Sequence, residues 1–377
     1  MQTDPTIEVR SRSQLDIAAL QAYLEQHPDS PDALEISQVR QFPGGFSNLT
    51  YLVVINGKEY VLRRPPHGIP VGSRAHDMGR EFRVLTQVQT SFNDLATQEA
   101  SNPNNREPSV SAPVPRPWIY CEDAQVLGAP FYLMERVEGI TLRPGFPQLD
   151  LLTPSTMEAL SQASIDLLLQ LHRLDVSSPG MQALGKPEGY NQRQVTGWIK
   201  RYRASQTDAI PQLEAIIDWL PNNLADSGRV ALIHNDYKYD NLLLNPKQLT
   251  QIKAILDWEM ATLGDPLMDL GTSLAYWAEA GDPEALKPFN FTWLPGNWNR
   301  QQVVDYYGQQ SGMDLGNIQF YYLFGLFKVA VICQQIYARY KKGLTQDERF
   351  GMLIYVIKAA AENGVRSLEQ GKISGLY

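Results

Sequence analysis

Residues 232–270 read LIHNDYKYDNLLLNPKQLTQIKAILDWEMATLGDPLMDL. His234-Asn235-Asp236 opens a polar segment, and Asn241 follows Asp236 by five positions. Ala254-Ile255-Leu256 is a short apolar run that ends on Asp257, and Asp265 and Asp269 flank a turn at Pro266. An acid, an amide shortly after it and a second acid at a strand end suit one chemistry: holding a phosphate-bound cation beside a hydroxyl. Magnesium takes hard oxygen ligands and is usually held by one or two carboxylates together with substrate phosphates. Phosphoryl transfer of the kinase type sets one Asp at the hydroxyl and an Asn and a second Asp on the metal ions. An Asp and an Asn in one loop also serve plain turn chemistry. The whole set in order favours the catalytic reading.

Upstream, residues 36–63 read as three strands. A strand over 36–42 runs into the turn Pro43-Gly44-Gly45-Phe46-Ser47-Asn48, and a second strand covers 50–55. Asn56-Gly57 between apolar runs predicts a type I′ hairpin, and 59–63 is the returning strand. A strand, a glycine turn, a strand and a third strand carrying a cation is the arrangement that covers nucleotide phosphates in kinases. Backbone N–H groups of Gly44 and Gly45, with Ser47 or Asn48, are then the phosphate donors. The third strand reads Tyr60-Val61-Leu62-Arg63-Arg64-Pro65-Pro66. Successive side chains alternate between faces, so only one of the two arginines can serve the phosphates. Alternation leaves both open, Arg63 and its runner-up Arg64, until the resemblance below places the family's lysine position on Arg63; the other is expected as a surface charge.

Residues 74–90 read as a helix with Met78, Phe82 and Leu85 on one side and Glu81 as the natural partner of the strand cation. Residues 91–117, rich in Ser, Asn, Pro and Thr, read as a surface loop. Pro113, Pro115 and Pro117 favour extended chain before Trp118. Residues 128–137 (GAPFYLMERV) form the next strand. In a kinase-like fold its end would be the hinge between lobes, where the backbone from Glu135 to Val137 would read an adenine edge; Met134 is either a pocket wall or ordinary core.

The remaining pattern is helical. Residues 13–25 read as a helix that starts on Ser13 with Asp16. Residues 153–174 are amphipathic and end near His172, expected as a packing or capping residue. Helices follow at 194–202 and 210–220. Arg193, Lys200, Arg201 and Arg203 are either a solvated face or part of an anionic-substrate site. From Asp269 onward the chain is helical and rich in Trp and Tyr, including Tyr276. The apolar stretch 320–338 is broken by Lys328 and by Gln334-Gln335, and it reads as too short and too polar to span a bilayer.

These residues carry a resemblance. Asp-x-Lys-x-x-Asn from Asp236, then Asp257-Trp258-Glu259, then Gly264-Asp265-Pro266 with Asp269-Leu270 is similar to the catalytic and metal loops of the aminoglycoside/choline phosphotransferase superfamily. Gly44-Gly45-Phe46-Ser47-Asn48-Leu49-Thr50-Tyr51 resembles that family's phosphate loop. The resemblance covers roughly residues 36–345. It implies an α+β, protein-kinase-like two-lobed fold with an antiparallel β N-lobe and a mainly helical C-lobe. Residues 1–35 would be an N-terminal helical extension, 36–137 the N-lobe and 138–377 the C-lobe with the acceptor pocket. It implies ATP and Mg²⁺ as cofactors, Asp236 as base, Lys238 beside the transferring phosphoryl group, and Asn241 and Asp257 on the metal. Arg63, paired with Glu81, takes the place of the usual lysine, keeping the charge but altering the geometry. His234 is expected to hold the loop and Asp257 by hydrogen bonds, and Asp265 and Asp269 to brace the loop backbone. The family usually has Gly between His and Asp; Asn235 departs from that but tolerates left-handed backbone angles. Motifs such as Arg80-Glu81-Phe82-Arg83-Val84-Leu85 look most like the kinase domain found alone in bacteria or fused to some acyl-CoA dehydrogenases. That branch implies a hydroxyacyl-CoA or hydroxy acid as acceptor. Aminoglycosides are the alternative acceptor, and a nucleotide-binding pseudokinase scaffold the alternative from another class.

Composition fits. The chain has 377 residues, 43% hydrophobic and 20% charged, with a net charge of −8 and a pI near 5.3. The acidic balance argues against nucleic acid or an anionic membrane surface as the main partner. Two cysteines cannot build a disulfide framework, which predicts a reducing, cytoplasmic compartment. The first residues, MQTDPTIEVRSRSQ, carry no apolar signal core.

Overall fold

A computed structural model describes residues 5–31, 33–43, 48–66, 76–100, 112–345 and 347–377. The chain divides into two compact units. One holds residues 1–141 with 242–248 and 252–260; the other holds 142–241, 249–251 and 261–377.

The first unit is built on a five-stranded antiparallel sheet in the order β1-β2-β3-β5-β4. Its strands are β1 (Ile36–Gln41), β2 (Leu49–Ile55), β3 (Lys58–Arg64), β4 (Pro117–Cys121) and β5 (Phe131–Glu135). Asn56 (φ +49°) and Gly57 (φ +74°) are both left-handed, as the type I′ turn between β2 and β3 demands. The turn sets the register that pairs Thr50 with Arg63 and Tyr51 with Leu62.

Helix α1 (Ile17–Glu25) starts later than the sequence suggests, because Asp16 and not Ser13 caps it, accepting from the Ala19 amide at 2.9 Å. Its Leu20 and Leu24 join Tyr51, Leu62 and Phe131 in one core. Helix α2 (Met78–Ala100) lies against β4 and β5. It runs through 91–100, which the composition placed in a loop. Phe92 is buried, and the hydroxyls of Thr86, Thr90 and Thr97 each bond the carbonyl four residues back. The polar side chains thereby satisfy themselves within the helix. Residues 101–111 of the expected loop lie outside the described residues. The short α3 (Ala124–Leu127) precedes β5.

Arg64 corrects a second expectation. It is 1% exposed rather than a surface charge. It shares the Leu62 face of β3, which the N-terminal segment covers: Tyr51 donates to the Ser13 carbonyl at 2.7 Å.

The hairpin of β7 (Leu242–Asn245) and β8 (Gln248–Ile255) joins this unit through the bridge Ile140–Leu244. Only glycine fits beside it at 139: a Cβ there would lie 2.5 Å from Leu243 and 2.8 Å from the Leu244 carbonyl.

The second unit is helical. In chain order it has α4 (Pro154–His172), the single turn α5 (Pro179–Gln182), α6 (Tyr190–Ser205), α7 (Pro211–Asn222), α8 (Pro266–Tyr276), α9 (Arg300–Ser311), α10 (Ile318–Lys341) and α11 (Leu353–Gln370). Strands β6 (Ala231–Ile233) and β9 (Thr262–Gly264) pair antiparallel and flank residues 234–261 in sequence. Helix α10 packs on α8, α11 and α6. A Cβ on Gly271 would lie 2.2 Å from the Tyr321 carbonyl, and one on Gly325 2.2 Å from the Gly271 carbonyl. The two glycines let the helix backbones touch.

The apolar segment read as too short to cross a bilayer belongs to a 24-residue helix that is long and apolar enough to do so. Its most apolar window is 83% buried inside this unit, which accounts for its composition as core.

Candidate active site

In the first unit, Arg63 is the centre. Its Nη2 lies 3.2 Å from Glu81 Oε1 and its Nη1 2.9 Å from Asp257 Oδ1. Glu81 comes from the first turn of α2 and Asp257 from the end of β8. Burial opposes the guanidinium charge, but Glu81, Tyr132 and Asp257 together hold Arg63 well above its ordinary value. Burial pushes Glu81 up, with Arg63 pulling the other way. Burial and the Glu81 charge push Tyr132 far up, so it stays a neutral phenol. A guanidinium that reaches two carboxylates with separate nitrogens uses a geometry that lysine lacks.

Asp257 has a left-handed backbone (φ +61°), which costs roughly 1–2 kcal/mol for a residue with a Cβ. The indole of the buried Trp258 fixes that turn by donating to the Ile255 carbonyl at 2.9 Å. Glu259 then takes the Asn48 amide at 3.2 Å on its carboxylate and Arg80 at 3.2 Å on its carbonyl. The other end of the Asn48 side chain meets His76 Nδ1 at 2.8 Å. Gly44, Gly45 and Ser47 lie outside the described residues. At the end of β5, Glu135 exchanges contacts with the Arg116 backbone: its amide donates at 2.9 Å and its carboxylate accepts at 3.2 Å. Val137 is half-buried just beyond.

In the second unit, the loop after β6 presents Asp236. Its Oδ2 receives Lys238 Nζ at 2.5 Å and Asn241 Nδ2 at 2.8 Å, and Asn241 also donates to the Asp236 carbonyl at 2.8 Å. The five-residue spacing thus closes a ring of contacts within the loop. Lys238 also lies 4.8 Å above the Tyr276 ring at the end of α8. Burial, then the Asp236 charge, push Tyr276 far above its ordinary value.

The loop backbone is anchored from α8. Asp269, fully buried, accepts the amides of His234 and Asn235 at 2.7 Å each and His172 Nε2 at 3.2 Å. Burial works against its charge, but His172 and His234 hold it below the usual carboxylate range. His234 Nδ1 faces the Asp236 amide at 3.3 Å. Asn235 has φ +67°, the conformation expected of a residue replacing glycine. Asp265 caps α8 through Leu267 and also takes Asn191, Ser227 and Tyr321. It therefore braces the approach to β6, whereas Asp269 braces the loop itself.

Two residues of this site were invisible in the sequence as site residues. Tyr276 read as aromatic core. Lys328 read only as an interruption of an apolar run, yet it is 2% exposed and donates to the Asn235 carbonyl at 2.6 Å. Both come from helices distant in sequence, and no local spacing marks them.

The antiparallel sheet of one unit and the helices of the other define a kinase-like aminoglycoside phosphotransferase fold. Residues 38–303 match the model of the phosphotransferase enzyme family, and the chain belongs to that family. A solved Ralstonia eutropha structure, provisionally described as an aminoglycoside phosphotransferase, is 28% identical, with TM-score 0.73 over 95% of this chain and 99% of that one. The hygromycin B and ADP complex of a thermostable mutant of aminoglycoside phosphotransferase APH(4)-Ia is 16% identical with TM-score 0.56, over 93% and 98% of the two chains, and shares the fold. Among curated proteins, rat acyl-CoA dehydrogenase family member 11 is 33% identical over 97% of this chain and 44% of its own length. Mouse family member 10 is 33% identical over 89% and 29%. The chain thus spans less than half the length of these relatives.

Proposed function

We propose that this chain is an ATP- and Mg²⁺-dependent phosphotransferase that phosphorylates a hydroxyl group of a small molecule, a hydroxyacyl-CoA or related hydroxy acid. The observation that carries this reading is the Asp236 carboxylate, held by Lys238 and Asn241 on a loop whose backbone is fixed by Asp269. Membership of the phosphotransferase family supports the reaction class. The acceptor class is supported by relatives whose names describe acyl-CoA dehydrogenases.

In this reading the acceptor oxygen attacks the γ-phosphorus of ATP, the bond to the β-phosphate oxygen breaks, ADP leaves and Asp236 takes the hydroxyl proton. Lys238 neutralises charge on the transferring group. Arg63, set by Glu81, clamps nucleotide phosphates, with Gly44, Gly45, Ser47 and Asn48 as further donors. The backbone from Glu135 to Val137 reads the adenine. Asp257 and the amide oxygen of Asn241 are hard donors that suit Mg²⁺. Bound there, it would supply charge neutralisation on the phosphates. Positioning and electrostatics account for most catalysis of this kind. Two buried free thiols, Cys121 and Cys333, support a reducing, cytoplasmic setting.

The test is a thermal shift with MgATP and MgGTP, then an ADP-release screen over hydroxyacyl-CoAs, aminoglycosides, choline and sugars. Binding to the native state raises apparent stability by mass action. The expected outcome is a MgATP shift and ADP release stimulated by a hydroxyacyl-CoA. Stimulation by aminoglycosides alone, the class suggested by the description of the Ralstonia eutropha structure, would replace the acceptor. A shift without turnover on any acceptor would favour the scaffold reading.

A further inference from the structure

Every polar group of Asn235 is engaged within the helical unit. Its amide donates to Asp269 at 2.7 Å. Its side chain exchanges hydrogen bonds with the Tyr190 hydroxyl at 3.0 and 3.3 Å. Its carbonyl and Oδ1 both receive Lys328 Nζ, at 2.6 and 3.3 Å. A left-handed residue with a Cβ is strained and persists only where its surroundings over-determine it. Here the restraint lies one residue before Asp236. Glycine at this position would accept the backbone angle but would offer no side chain to Tyr190 or Lys328.

Lys328 can reach the loop because α10 and α8 touch at Gly271 and Gly325. Gly325 lies one turn before Lys328 on α10, and Gly271 lies two residues after Asp269 on α8. An ammonium buried among apolar helices is costly unless its partners are fixed, and both partners belong to the residue that sets the direction of the loop.

We propose that Lys328 is a positioning residue for phosphotransfer: its ammonium locks the left-handed turn at Asn235 and so sets the Asp236 carboxylate. The inference rests on the phosphotransferase reading above. The charged groups that face Lys328 are Asp269 on α8, Asp236 and Lys238 on the loop and Arg201 on α6, with the Trp198 ring 5.9 Å away. Tyr190, pushed up by burial, remains a neutral phenol. Burial lowers the ammonium to about 8 against the pull of Asp269 and Asp236, with Lys238 and Arg201 adding to the lowering. The lock is therefore charged at neutral pH and opens as pH rises through about 8. The sign for stability is opposite. Between about 8 and the ordinary lysine value near 10.4, the unfolded chain binds the extra proton, so this group makes the fold more stable as pH rises.

The test compares wild type, Lys328→Met, Lys328→Arg and Asp236→Asn in ADP release from MgATP, with water or a hydroxyacyl-CoA as acceptor, from pH 6.5 to 9.5. Urea midpoints and MgATP affinity are measured alongside. In wild type, kcat falls above about pH 8 while the urea midpoint does not fall. Lys328→Met lowers kcat at pH 7 by about 10- to 100-fold, the scale of a misplaced catalytic group. Its KM for ATP is unchanged and it has no alkaline limb near 8. Lys328→Arg, which stays protonated across this range, recovers part of the rate and lacks the limb near 8. A Lys328→Met enzyme with wild-type kcat, or one with the wild-type alkaline limb, overturns the inference. If that variant does not fold, a flat wild-type profile across pH 7–9.5 overturns it equally. Loss of turnover in Asp236→Asn together with full activity in Lys328→Met would sink this inference alone, whereas full turnover in Asp236→Asn would sink the phosphotransfer reading itself.

Discussion

Asp269 accepts the backbone amide of Asn235 at 2.7 Å through one carboxylate oxygen. The other oxygen takes the amide of His234, also at 2.7 Å. One buried side chain on α8 therefore holds two successive peptide units of the loop that carries Asp236. Replacing Asp269 by Asn sets an NH₂ against one of those amides and leaves a donor without an acceptor. Breaking a buried charged contact of this kind costs about 3–5 kcal/mol. Urea denaturation should show that loss at pH 7.

The same residue predicts a pH dependence. Asp269 is held below the usual carboxylate range, so its contribution is present above the unfolded value of about 3.9 and is lost as pH falls through its folded value. The gap in urea midpoint between wild type and Asp269→Asn should be full at pH 5–7 and narrow below about pH 4. A gap that stays constant down to pH 3 would contradict the assignment of Asp269 as the charged anchor.

Arg63 separates nucleotide binding from folding. Arg63→Met strips the buried Glu81 of its counter-charge and should cost about 3–5 kcal/mol, while abolishing the MgATP thermal shift. Arg63→Lys restores the charge but not the two-nitrogen reach to Glu81 and Asp257. It should retain most of the stability and lose about tenfold in MgATP affinity, or roughly 1.4 kcal/mol. Calorimetric titration of both variants checks this; wild-type affinity in Arg63→Met would remove Arg63 from the phosphate site.

Gly325→Ala probes the contact of α8 with α10. The added methyl would lie 2.2 Å from the Gly271 carbonyl, and overpacking of that sort costs about 1–3 kcal/mol. Because this contact carries Lys328, a fall in kcat should accompany the fall in melting temperature. An alanine variant as stable and as active as wild type would show that the helices can part at no cost.

Much of the molecule was legible because its determinants are local. The Asn56-Gly57 turn, the strands around it and the Asp236–Asn241 ring depend on residues a few positions apart. Strand alternation allowed only one of Arg63 and Arg64 to serve the phosphates; the choice of Arg63 came from the family resemblance, and Arg63 is the one that pairs with Glu81. What alternation could not tell was that the opposite face is covered, so Arg64 is core and not surface. That cover comes from Ser13, Leu20 and Leu24, a segment the sequence marks only as an extension. The continuation of α2 through 91–100 was hidden because Ser, Asn and Thr read as loop composition, although the threonine hydroxyls bond within the helix. Lys328, Tyr276 and Tyr190 were illegible for a different reason. Their roles arise from helix packing at Gly271 and Gly325 and from α6, contacts without any local pattern.

The proposed role of Asp236 as the base of phosphotransfer is tested by ADP release from Asp236→Asn, with MgATP affinity measured on the same protein. Asparagine keeps the shape and the contact to Asn241 but cannot take a proton. MgATP binding should stay close to wild type and turnover should fall by at least about 10²-fold, the lower range for a general base. Turnover at the wild-type rate with intact nucleotide binding would contradict that role.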